Sequence, residues 1–161
     1  MPIAAAQLAE LIDAQAASLR LWAGSRCAAG DDVVQEAFCR LAVQDPVPDN
    51  PVAWLYRVCR NLAEKQRRSD VRRRDRETVH ARSEATGHDA VDSLELAETL
   101  TAVESLPGEL REVLVARIWG QLSLEEIGKL CGISAATACR RYQAALEALR
   151  TQSTVPCEES R

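Results

Sequence analysis

The stretch SLEEIGKLCGISAATACRRYQAALEALR, residues 123–150, decides how this chain is read. Ser123, followed three residues later by Glu126, makes a capping box, which opens a helix by satisfying its first backbone N–H groups. Leu124, Ile127 and Leu130 recur at helical steps and form an inner face. Gly128 has no side chain and lets another helix approach closely. Gly132 supplies a turn, Ile133 plugs the angle, and Ser134 caps a second helix whose inward stripe is Ala138, Tyr142, Ala145 and Leu149. The exposed candidates on that helix are Ala135, Ala136, Thr137, Arg140, Arg141 and Gln143. A groove-reading helix needs a free N-terminal end with donors that reach bases and phosphates. Arg140 and Arg141 supply charge, and Thr137 a hydroxyl or methyl contact. A packing hairpin in a helical solenoid imitates the same pattern, so both readings stand on this stretch alone.

The rest of the chain favours helices. Of 161 residues 47% are apolar, but only six are aromatic, so the core must be built from Leu, Val, Ile and Ala. Seven Gly and six Pro are too few for a loop-rich sheet protein, and no alternating strand pattern is apparent. No apolar run approaches the roughly 18 residues that span a bilayer. The N-terminus meets Glu10 and Asp13 early and lacks a basic n-region, so a cytoplasmic protein without a signal peptide is expected. The six cysteines contain no C-x-x-C pair and only two His accompany them, which favours core filling by reduced thiols over a metal site.

A first helix is expected from about Ala5 to Trp22, with Leu8, Leu11, Ile12, Ala16, Leu19 and Trp22 inward. DDVVQEAFCRLAV follows, with Asp31 and Asp32 at its N-terminus, where acids complement the helix dipole. Val34, Ala37, Phe38 and Leu41 line one of its faces. QDPVPDN cannot continue it. Asn50 then caps a helix with Pro51 at its first position, and Trp54, Leu55, Val58, Leu62 and Cys59 supply the apolar face. Beyond Leu62 the stripe fades, so the rest should project from the core or be held by a partner. TVHARSEATGHDAVD, 78–92, reads as a linker. Helices are expected at about 93–105, 107–119, 123–131 and 134–150. The expected architecture is all-α: a domain over 1–77, the linker, a helix-turn-helix domain over 93–151, and a polar tail over 152–161.

The net charge of −4 hides an asymmetry. Residues 57–76 carry nine Arg or Lys against three acids, whereas 84–112 carry eight acids against one Arg. Local potential governs contact, so a basic face can meet phosphates on an acidic protein. Arg57, Arg60, Asn61 and Arg68 fall toward one side of the helix. Arg72, Arg73 and Arg74 cover several faces, as a diffuse phosphate magnet would.

These segments together resemble the bacterial RNA polymerase sigma factors of the extracytoplasmic-function type, the compact sigma-70 relatives that keep regions 2 and 4. The resemblance covers about residues 5–151. DDVVQEAFCRL is similar to the region 2.2 signature through Asp32, Val34, Gln35, Glu36 and Phe38. It implies that Asp32, Gln35, Glu36 and Phe38 dock on the polymerase β′ clamp. PVAWLYRVCRNLAEKQRR resembles the next region through Trp54, Leu55, Arg57, Asn61, Leu62 and Ala63. It implies −10 contacts for Asp49, Asn50, Arg57, Arg60, Asn61 and Arg68, with QDPVPDN receiving a flipped base and the helix holding melted DNA. Lys65 stands where Asp is common. SLPGELREVLVARIWGQLSLEEIGKLCGISAATACRRYQAALEALR resembles region 4 and places Ser134, Ala135, Thr137, Arg140 and Arg141 at the −35 major groove. Cys139 and Ala144 replace two basic groups, which weakens phosphate contacts.

The function implied is promoter recognition as a dissociable polymerase subunit that meets core polymerase through the β′ clamp and β flap. It would read double-stranded −35 and single-stranded −10 DNA, without cofactor, metal or catalysis, and not at a membrane. An anti-sigma partner is left open. The alternatives are a conventional helix-turn-helix regulator and a helical interaction protein that does not bind DNA. The first would usually dimerise over half-sites about one DNA turn apart, and TQSTVPCEESR offers no seam for that.

Overall fold

The computed structural model describes residues 1–76 and 94–153. Seven helices and no strand occur among them: α1 (Ala5–Gly24), α2 (Gly30–Ala42), α3 (Pro51–Arg76), α4 (Leu94–Ser105), α5 (Gly108–Ile118), α6 (Leu124–Cys131) and α7 (Ala135–Ser153). The proposed linker and nearly all of the polar tail, with Cys157, lie outside the described residues.

The local signals act as the sequence reads. Asp31 and Asp32 sit in the first turn of α2. Asn50 Oδ1 accepts from the Ala53 N–H at 3.0 Å, starting α3 at Pro51. Pro107 precedes α5 and separates it from α4. Both halves of the Ser123–Glu126 box are made, at 3.1 and 2.8 Å. Gly132 ends α6 in the left-handed region at φ +69°, where an L side chain would be strained. Ser134 Oγ then accepts from the Thr137 N–H at 3.1 Å and opens α7. A Cβ at Gly128 would lie 2.8 Å from the Ile133 carbonyl oxygen, so that glycine lets the turn fold back onto α6.

Packing rotates two of the expected faces. In α1 the buried residues are Ser18, Leu19, Trp22 and Ala23, while Ile12 is 38% exposed. In α3 the buried residues are Leu55, Tyr56, Cys59 and Ala63, whereas Trp54, Val58 and Leu62 are half-buried. The difference lies in neighbours on both sides of α3. Tyr56 meets Trp22 edge-to-face, with centroids 5.7 Å apart, and its ring carbons would lie 2.9–3.1 Å from a Cβ at Gly120. Only Cys59 among the described thiols is buried, and burial pushes it up to about 12. Cys27, Cys131 and Cys139 are half-buried and Cys39 exposed, so core filling describes one thiol fully.

Helices α1, α2 and α3 pack on one another, and α5, α6 and α7 do likewise, with α4 against α7. The two groups meet where α1 touches α5 and α3 touches α6.

Candidate nucleic-acid interface

Helix α2 is two-sided. Val33, Val34, Ala37, Phe38 and Leu41 are buried, while Asp32, Gln35 and Glu36 face solvent. Glu36 accepts from Arg40 Nε at 2.8 Å. Phe38 is only 7% exposed. It anchors the helix from inside instead of presenting a ring to a partner.

Helix α3 carries the basic strip. Arg57, Asn61 and Arg68 are exposed, whereas Arg60 is half-buried and turned from them into a cleft. Each residue advances about 100° on a helix, so Arg57, Asn61 and Arg68 cluster while Arg60 falls at the edge of the strip. Glu64 interrupts the basic character. Its carboxylate accepts from Arg67 at 2.9 and 3.1 Å and from Arg68 Nε at 2.9 Å. Hydrogen bonds from Arg67 and then Arg68 hold that carboxyl down at about 2. The sequence contained this signal, since Glu64 and Arg68 are four apart. Asp49 and Asn50 are exposed before α3, and Asn50 Nδ2 also donates to Glu126 Oε1 at 3.3 Å.

Helix α7 is pinned through Ala138 and Ala145, both fully buried. Its first turn holds a small polar network: the Ser134 and Thr137 hydroxyls lie 2.9 Å apart, and Arg140 Nη2 donates to Thr137 Oγ1 at 3.0 Å. Ser134 and Arg140 are exposed, and Ala135 and Thr137 half-buried. Arg141 points elsewhere. It is half-buried and its Nη2 sits 2.8 Å from Glu109 Oε2 of α5.

The cleft, of about 540 Å³, lies between the two groups of helices and includes Arg26, Arg60, Arg67, Glu109, Glu112 and Arg141. Glu112 is buried and accepts from both Arg26 Nη2 and Cys131 Sγ. Sequence reading missed Arg26 and Glu112, because nothing local ties residues 86 positions apart.

A capped helix-turn-helix beside a separate arginine-rich helix, with no strands among the described residues, defines an all-α protein of the helix-turn-helix class. The family described as "Sigma-70, region 4" matches residues 102–151, which end in α7. The chain is 34% identical over 138 residues to the extracytoplasmic-function (ECF) RNA polymerase sigma factor SigW of Bacillus subtilis (strain 168), covering 76% of this chain and 74% of that one. It is 33% identical over 128 residues to the ECF RNA polymerase sigma factor EcfG of Rhodopseudomonas palustris (strain TIE-1), covering 71% and 66%. Its fold is similar to that of the sigma factor RpoE solved in complex with the anti-sigma factor NepR from Bartonella quintana. The TM-score is 0.62 at 24% identity, over 92% of this chain and 96% of that one. The chain belongs to the ECF sigma factors of the sigma-70 family, and directs transcription initiation.

Proposed function

We propose that the work of this sigma factor is divided among three surfaces. Asp32, Gln35 and Glu36 dock on the β′ clamp of core polymerase, with Phe38 fixing the helix that carries them. Arg57, Asn61 and Arg68, with Asp49, Asn50 and Arg60 around them, hold single-stranded −10 DNA. Ser134, Ala135, Thr137 and Arg140 enter the −35 major groove, with Arg141 on phosphate. The division follows two modules, 1–77 and 93–151, joined by 78–92. Each alone is a weak reader, and the tether raises the effective concentration of the second once the first is bound. The protein works in the cytoplasm beside its DNA and supplies no chemistry of its own.

The observation that carries this reading is the first turn of α7. Ser134, Thr137 and Arg140 form a hydrogen-bonded polar end on a helix fixed by buried Ala138 and Ala145. A packing hairpin would use the Ser134 cap as well, but it has no use for the exposed Arg140 held on Thr137. Run-off transcription with core polymerase on a promoter library tests it. Initiation should depend on the chain and fall when Thr137 and Arg140 are both changed to Ala. Promoter selection unchanged by that double variant would remove the −35 assignment.

A further inference from the structure

The cleft of about 540 Å³ is lined by four guanidiniums, those of Arg26, Arg60, Arg67 and Arg141. Three of them have a carboxylate of their own. Arg26 is paired with Glu112, Arg67 with Glu64 at 2.9 Å, and Arg141 with Glu109 at 2.8 Å. Arg60 is different, since no hydrogen bond or ion pair joins it to a described residue. Its Nε is buried without an acceptor, and so is the Nε of Arg26. Cys131 supplies no counter-charge. Its Sγ–H donates to Glu112 at 3.0 Å, and burial pushes the thiol well up, so it stays protonated. The lining is therefore left with one uncompensated cation.

The start of α5 adds charge of the same sign. Gly108 and Glu109 line the cleft, and no side chain caps that helix end. The first N–H groups of a helix lack partners within it and carry positive partial charge. Two buried donors without an acceptor call for an occupant. Water would accept from the Nε–H groups yet leave the Arg60 charge unbalanced, whereas an anion answers both needs. Guanidiniums and a helix N-terminus together suit a phosphate. The cleft volume also falls within the range of about 300–1,000 Å³ typical of small-molecule sites, which leaves room for an organic group on that phosphate.

We infer that this cleft binds a phosphate group, held by the guanidiniums of Arg60 and Arg26 and by the N-terminus of α5. The group arrives as free inorganic phosphate or as the phosphomonoester of a small metabolite. Glu109 limits the affinity, because it occupies Arg141 and adds a negative charge at the start of α5. The inference goes beyond promoter recognition and does not depend on which residues touch DNA.

Titration of the full-length chain with inorganic phosphate and, separately, with a nucleoside monophosphate tests this. Ionic strength is held constant with chloride, and amide NMR spectra follow the binding. The signals of Gly108 and Cys131, which line the cleft, should shift and saturate. Arg60→Gln should weaken binding at least about ten-fold, as loss of a charge-assisted partner does. Glu109→Gln, at a mostly exposed side chain, should free Arg141 and tighten binding about three-fold. Arg57→Gln lies outside the cleft and should leave binding as it is. Saturation by the monophosphate at lower concentration than by phosphate assigns the site to a phosphomonoester; equal or weaker binding assigns it to free phosphate. No saturable shift with either probe overturns the site. Binding that survives Arg60→Gln overturns it too, as does binding that Arg57→Gln weakens equally, because diffuse attraction to arginines would behave so. If Arg60→Gln yields no folded spectrum, Glu109→Gln decides, and unchanged or weaker binding by that variant overturns the inference.

Discussion

Helices α3 and α7 both carry arginines and solve opposite problems. Most of the charge of α3 lies beyond Ala63, its last fully buried apolar residue, on a segment where Val71 is 46% exposed. Helix α7 has fewer cations but is fixed at its start by Gly132, Ser134 and buried Ala138. Charge without a fixed frame holds backbone phosphates of any sequence, whereas base reading requires a helix end held in place. The contrast teaches that quantity of charge and precision of placement are separate provisions.

The strongest way to break the comparison is to loosen the frame of α7. Gly128→Ala puts a Cβ 2.8 Å from the Ile133 carbonyl oxygen, a backbone atom that cannot swing aside. We expect about 1–3 kcal/mol of destabilisation by urea unfolding, with loss of −35 discrimination. No comparable loss should follow Arg72→Ala in α3, and equal losses would erase the distinction.

Next is the cap. Ser134→Ala removes the acceptor for the Thr137 N–H and should cost about 1 kcal/mol. Binding of holoenzyme to −35 variants should flatten with it. A variant of unchanged stability and preference would show that α7 is held by packing alone.

The arginines sharpen the comparison at the level of single contacts. Arg140→Ala should relax −35 preference, and Arg141→Ala should weaken all sequences by a similar factor. In α3, Arg57→Ala should lower the salt slope of binding by about 1 without altering sequence choice. A −35 library and a salt titration with holoenzyme measure these. If Arg140→Ala lowers every sequence equally while Arg141→Ala reshapes preference, the orientation assigned to α7 is wrong.

The smallest effect concerns Glu64. Its folded value of about 2 lies below the ordinary 4.5, so its pairs with Arg67 and Arg68 are fully present above the ordinary value and vanish as pH falls through about 2. An NMR titration of the Glu64 carboxyl should find its midpoint below the ordinary glutamate value. Glu64→Gln should release both guanidiniums and tighten single-stranded DNA binding about two-fold, as weak exposed pairs allow. Weaker binding would mean that Glu64 positions those arginines instead of restraining them.

The legible parts of the fold share one physical trait, which is that their cause is local. Asn50–Pro51, Leu106–Pro107, Ser123–Glu126, Gly132 and Ser134 each act within a few residues of chain, and each starts or ends a helix where its chemistry says it should. Which face of a helix turns inward depends on neighbours distant in sequence. Tyr56 is drawn between Trp22 and Gly120, and no periodicity within α3 announces either. Arg60 shows a related limit in the candidate site, since its place at the edge of the Arg57 strip was local but the cleft that claims its side chain is made by distant residues. The Gln15–Trp119 bond joins positions 104 apart. The resemblance to sigma factors rested on motif residues such as Asp32, Gln35 and Glu36, whose exposure suits docking, and on Phe38, whose burial explains its type differently.

The far half of α3 also bears on how this protein can change over generations. Exposed Lys65, Arg67, Arg68, Arg72 and Arg73 contribute little to the core, so folding places few demands on which residue stands at each place. Arginine and lysine can therefore appear, vanish and migrate along this segment with little penalty. The turn at Gly128 and Gly132 has no such latitude, and lineages diverging in promoter choice would alter the open positions around that turn while keeping the turn itself.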